Sequence, residues 1–306
     1  MAPRSSSFGS GLAFAVSAYV LWGFLPLYFV LLPPASSWEI VAFRILLALA
    51  FCAILLTVTR GWRRFVALVR QPRVLGIMTV AGVLIYINWQ VYVIAVTTGH
   101  VVEGALGYFI NPIVTVLLGI VFLRERLRPA QWVALGISTI AILVIAIGYG
   151  AFPWIALALA FSFGIYGYVK KRVGDQVDPV SGLTLETAVL TPVAVVILVV
   201  LAATSGIATG NSGAPQLISM LFAGAITATP LLLFAAAARR LPLVYLGLTQ
   251  YLAPIMQFLT GVVLLHEDMP LERWIGFGLV WVALIVLTAD ALASGRANRR
   301  AALEPV

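Results

Sequence analysis

Charge is scarce in this sequence. Of its 306 residues only 10% are Asp, Glu, Lys or Arg, where a soluble domain carries about 25%. So few charges cannot cover a water-facing surface, so lipid must be the main solvent. Cysteine is nearly absent too. Cys52 stands alone in an apolar run, which excludes an internal disulfide and a thiolate metal centre. No GxxxxGK[ST] loop is present to cradle a nucleotide phosphate, so there is no built-in ATP motor. HExxH and GxSxG are missing, and the two histidines, His100 and His266, lie between apolar runs. Without a nucleophile paired to a base, hydrolytic chemistry has no foundation. No catalytic residue, metal or cofactor is expected.

What is present is apolar sequence, 62% of the chain. A spanning helix needs roughly 20 mostly apolar residues. Ten runs qualify: Gly11–Leu32, Trp38–Thr59, Val74–Ala95, Val102–Leu123, Ala130–Gly148, Trp154–Val169, Val180–Thr204, Gln216–Ala238, Leu243–Leu265 and Leu271–Leu292. The first is longer than a signal-peptide core of about 7–15 residues, so it reads as a retained span. Basic residues load alternate connections. Arg60, Arg63, Arg64, Arg70 and Arg73 form one group, Arg124, Arg126 and Arg128 the next, then Lys170, Lys171 and Arg172, then Arg239 and Arg240. Arg4, Arg296, Arg299 and Arg300 fall on the same side, with Arg273 the exception. Positive charge stays cytoplasmic, which predicts both termini inside. Topology thus accounts for the net charge of +8, and nucleic acid is not expected as a partner.

The chain repeats itself. Leu106–Val144 matches Leu248–Val286 at a constant offset, 254 − 112 = 142. Pro112, Gly119, Glu125, Trp132 and Gly136 find Pro254, Gly261, Glu267, Trp274 and Gly278 in register. Five helices separate the copies, an odd number, so the second lies upside down. Inverted repeats of this kind build secondary transporters, with the substrate site near the midplane between them.

Pro112 and Pro254 lie near the middle of corresponding runs. Each removes a backbone donor, and freed backbone groups are tolerated at that depth only against protein or a water-filled cavity. Two readings stand, a cavity-lining break and a packing kink. Arg44 lies about 9 Å past Trp38 along its helix. Glu186 sits at the same place in the second copy, since 186 − 44 is again 142. An unpaired charge there costs a few kcal/mol or more, so both need partners. The expected pairs are Arg44 with Glu103 and Glu186 with Tyr245, serving either as a symmetric clamp or as a substrate or proton site. The remaining candidates for a substrate cavity are Trp22, Tyr86, Asn88, Trp89, Tyr92, Tyr108, Asn111, Tyr166, Gln250, Tyr251 and Gln257. Asn and Gln inside lipid must hydrogen-bond a neighbour or a ligand, and aromatic walls suit flat solutes.

Several runs carry a resemblance: Asn88-Trp89, Glu103–Pro112 (EGALGYFINP), Glu125-Arg126, Leu159–Gly167 (LAFSFGIYG), Thr229–Leu241 (TPLLLFAAAARRL) and Gln250–Pro254 (QYLAP). Together they resemble the RarD branch of the EamA group, in the drug/metabolite transporter superfamily, from about Gly11 to Asp290. The resemblance implies an all-α membrane protein of ten transmembrane helices in two inverted five-helix repeats, residues 11–148 and 152–292, in the cytoplasmic membrane. It implies transport, often export, of small metabolites or drugs, with a branch name tied to chloramphenicol. The expected partners are the lipid bilayer and a small-molecule substrate. The rivals are an uptake permease, an intramembrane enzyme and a passive channel. Asn111-Pro112 resembles the Asn-Pro pairs of water channels, but the second copy reads Ala253-Pro254.

Overall fold

The computed structural model describes residues 5–123, 128–148, 152–173, 176–238, 240–241 and 249–301. These residues are helical throughout, joined by short turns. Glu125 and Tyr245 lie outside the described residues.

Helices begin where the sequence supplies a start. Helix α3 (Ser37–Val58) follows Ser36, whose hydroxyl accepts from the Glu39 amide at 3.2 Å. A side-chain cap of this kind satisfies one of the free amides at a helix start. Helix α9 (Pro179–Thr204) follows Asp178, which accepts from the Ser181 amide at 3.0 Å. Proline opens α5 (Pro72–Thr97) and α7 (Pro129–Gly148), where its missing N–H costs nothing. Three starts recur at the offset of 142: Ser37 and Pro179, Pro72 and Ala214, Pro129 and Leu271.

The first apolar run is divided. Helix α1 (Ser5–Gly23) ends at Phe24, and α2 (Leu25–Phe29) carries Pro26 in its first turn. A short helix, α4 (Trp62–Val69), is additional to the predicted spans. Its Leu68 and Phe65 pack beside Met78 and Leu185 while Arg63 and Arg64 stay exposed. That is the division of a helix lying at a membrane surface. Helices α6 (Val101–Leu123) and α8 (Trp154–Lys171) follow. The eighth predicted span is two helices, α10 (Ala214–Leu221) and α11 (Ala223–Ala238). The chain then turns at 250–251 and continues as α12 (Leu252–Leu259), a π-helical segment (Thr260–Leu264) and α13 (Leu271–Ala301).

Six described helical segments are long and apolar enough to cross a membrane, and four shorter apolar helices lie among them. Their outward faces carry Ile54, Val58, Ile140, Ile147, Val196, Val199 and Ile285, all exposed. A soluble monomer rarely shows so large an apolar surface; lipid covers it here. Inside, α3 packs on α9, α7 on α13 and α6 on α12, while α1 packs on α11 and α5 on α8. Close approach is set by glycine. A Cβ on Gly224 of α11 would stand 2.3 Å from the Leu47 carbonyl oxygen of α3, so only a hydrogen fits. Its counterpart Gly82, on α5, would stand 3.4 Å from the Glu186 carbonyl oxygen.

Candidate substrate site and buried charges

Most of the aromatic candidates gather on one core. Trp89 and Tyr92 of α5 are buried in it, and Trp22, Tyr86, Tyr108 and Tyr166 pack against it. Tyr92 meets Tyr108 and Phe29 at ring distances of 5.6 and 6.1 Å, and Phe163 links Tyr108 to Tyr166. Asn88 is fully used by the protein. Its amide donates to the Leu159 carbonyl at 3.2 Å and the Ser162 hydroxyl at 3.1 Å, and its oxygen accepts from Tyr108 at 3.1 Å. Gln257 donates to the Trp22 carbonyl at 3.0 Å, tying α12 to α1. Four buried polar atoms near these residues have no hydrogen-bond partner among the described residues: the Tyr92 hydroxyl, Asn111 Oδ1, Gln257 Oε1 and Arg44 Nη1. Tyr251 packs with a different core, around Phe258 and Phe277. Gln250 sits in the turn before α12.

Pro112 lies inside a continuous α6, half-buried. Pro254 is placed otherwise. It stands in the first turn of α12, after the turn at 250–251, and is buried. The mid-helix position expected for Pro254 is therefore corrected: a helix start accommodates proline without losing a hydrogen bond.

Arg44 is 4% exposed. Its Nε donates to the Thr227 hydroxyl at 2.7 Å. The guanidinium lies over the Trp89 ring at 4.5 Å and the Phe29 ring at 5.5 Å, attractive contacts between a cation and a ring face. The expected pair with Glu103 does not form. Glu103 accepts instead from the Ile155 and Ala156 amides at 3.1 and 3.5 Å, where the free N–H groups of a helix start attract a carboxylate.

Glu186, 1% exposed, has its partners in α8. Lys170 Nζ lies 2.8 Å from its carboxylate, and Tyr166 donates to both oxygens at 3.4 Å. Lys170 and Tyr166 are the partners of Glu186 among the described residues; the expected partner Tyr245 lies outside them. Lys170 was legible only as an orientation signal. Thr227, Tyr28 and Phe29 were not singled out at all, because a hydroxyl or a ring in an apolar run carries no motif.

Two further carboxylates hold backbone amides. Glu39 accepts from Ala208 and Thr209 at 3.1 and 2.7 Å. Glu267, between α12 and α13, accepts from Val101 and Val102 at the start of α6. Burial pushes the Glu267 carboxyl above the usual range, and the Val102 and Val101 amides, Arg273 and His100 pull it back. A cavity of about 300 Å³ opens among His100, Glu103, Phe152, Trp154 and Arg273. Arg44 does not line it, nor does any of the aromatic candidates.

A multi-helix, lipid-facing bundle with buried charges and unpartnered polar atoms at its centre is the build of a membrane transporter. The comparisons agree. The pattern of the EamA-like transporter family matches residues 9–147 and again residues 152–289. The chain belongs to this family, and within it to the RarD type. It is 45% identical to the protein RarD of Streptomyces exfoliatus, over 95% of this chain and 91% of that one. Its identity to the RarD protein of Escherichia coli is 37%, over 94% and 96%. A Pseudomonas aeruginosa protein described as chloramphenicol-sensitive protein RarD is 30% identical, over 92% and 95%. A solved crystal structure, 20% identical, superposes with a TM-score of 0.59 over 94% of this chain and 99% of that one, a likeness of fold alone.

Proposed function

We propose that this transporter is a secondary carrier exporting small aromatic or amphipathic molecules by alternating access. Its two inverted five-helix repeats, residues 11–148 and 152–292, hold the substrate between them, and both termini are cytoplasmic. One observation carries the reading: among the described residues, Arg44 of the first family match has a buried Nη1 without a partner, lies over the Trp89 and Phe29 rings and is held by Thr227 of the second match. The recurring helix starts support the repeats. So does the exchange of contacts, in which α1 with α11 mirrors α8 with α5. The cavity candidates are Trp22, Tyr86, Asn88, Trp89, Tyr92, Tyr108, Asn111, Pro112, Tyr166 and Gln257, with Gln250, Tyr251 and Pro254 at the break before α12.

Purified protein in liposomes tests this. Chloramphenicol flux, with and without a pH gradient, should saturate and be competed by other aromatic solutes. Flux that rises linearly with concentration makes the protein a channel, and net movement only inward makes it a permease. For orientation, single cysteines at Ser212 and Arg64 should label from opposite sides of intact cells, Ser212 from outside. Labelling from one side breaks the ten-span topology.

A further inference from the structure

Arg44 has the surroundings of an ion pair with one member missing. A guanidinium stays protonated in proteins, so its charge has to be met. Among the described residues no carboxylate meets it. Its contacts among them are a threonine hydroxyl and two ring faces, and Nη1 is buried with no partner there. The repeat shows what is absent. Glu186, the counterpart of Arg44, is neutralised by Lys170. The counterpart of Lys170 is residue 170 − 142 = 28, and position 28 holds Tyr28. Where the second copy has a counter-ion, the first has a phenol, whose hydroxyl is engaged with the Ser219 carbonyl at 2.9 Å.

We propose that the missing member is the substrate: Arg44 anchors the carboxylate of a monoanionic aromatic acid. The proposal rests on the carrier reading and names its substrate class. A carboxylate matches the planar edge of a guanidinium and forms charge-assisted hydrogen bonds with it. One uncompensated cation calls for one negative charge. A phosphate dianion needs a second cation, and Lys170 is held by Glu186. The rings of Trp89, Phe29, Tyr92 and Tyr108 supply the flat apolar wall beside it.

The test is calorimetric titration of the purified full chain in lipid nanodiscs. The probes are benzoate and phenylacetate, each against its own uncharged amide, with chloramphenicol as a further neutral solute. At least one acid should bind about tenfold or more tightly than its amide, the scale of a charge-assisted bond to a buried cation. Arg44→Gln should erase that ratio. Tyr28→Glu, which supplies a carboxylate within the chain, should also erase it while keeping wild-type folded yield. An arginine that serves only as a clamp predicts no acid preference in the wild type and no effect of Tyr28→Glu. Acids binding no better than their amides, or not at all, overturn the proposal, and that comparison requires no variant to fold. The two readings fail separately. An acid that binds but is not moved across liposomes removes the carrier and leaves the site. Saturable chloramphenicol flux without acid preference removes the site and leaves the carrier.

Discussion

Arg44 and Glu186 occupy the same position in the two copies, yet they are treated differently. Both are buried, one on α3 and one on α9, eight residues past the helix caps Ser36 and Asp178. Glu186 has a cation 2.8 Å away and a phenol at 3.4 Å. Arg44 has neutral partners only, among the described residues. The two stretches that match the family differ in whether the buried charge is answered from within. A charge answered internally holds helices together. A charge left open is costly in lipid, and that cost is offset whenever something else supplies the counter-charge.

The largest expected effect comes from stranding the answered charge. Lys170→Met leaves Glu186 buried without a cation, a loss of about 3–5 kcal/mol. Thermal unfolding in detergent should show a marked drop, and adding Glu186→Gln should recover most of it. No recovery would mean that Lys170 matters for some other contact. The glycines come next. Gly224→Ala forces backbone apart at a 2.3 Å approach and should cost about 1–3 kcal/mol as overpacking. Gly82→Ala, with 3.4 Å available, should be nearly neutral in the same melts. Equal losses would erase the asymmetry between the copies. Thr227→Val removes the hydroxyl that holds Arg44 and should cost about 1 kcal/mol or somewhat more, as for a bond to a charged group. Its signature is a weaker affinity for the acid probes. Tyr166→Phe should be smallest, under about 0.5 kcal/mol, because bonds at 3.4 Å lie beyond the usual range. A larger loss would make the phenol, rather than the lysine, the chief partner of Glu186.

Much of the architecture was legible. The apolar runs located most of the described helices, although the first and the eighth divide and α4 lies outside them, and the constant offset of 142 matched Arg44 with Glu186. What an offset cannot say is which residues touch. Arg44 was assigned to Glu103 as the nearest carboxylate by depth, but the free amides of Ile155 and Ala156 had a stronger claim on it. Likewise Ser36 and Glu39 spell a capping box, yet the Glu39 carboxylate reaches across to Ala208 and Thr209. Glu39, Glu103 and Glu267 serve helix starts and turns distant in sequence, and no local pattern reveals that. The break before α12 was hidden for a related reason. The repeat makes Pro254 look like Pro112, whereas the turn at 250–251 has no marker in the first copy. Position 28 was readable in retrospect, once Lys170 was known to be the partner of its counterpart.

Gly224 lies one turn before Thr227 on α11, and Leu47 lies one turn after Arg44 on α3. The contact that excludes a Cβ and the hydrogen bond that holds the guanidinium are therefore neighbours on one seam. Backbone pressed on backbone leaves no side chain between the two helices at this point, and the guanidinium is held one turn away. The positive charge is then a fixed post in the machine. In the alternating-access cycle proposed for this carrier, the ring-bearing helices swing past it, in the way that a turnstile rotates about its pillar.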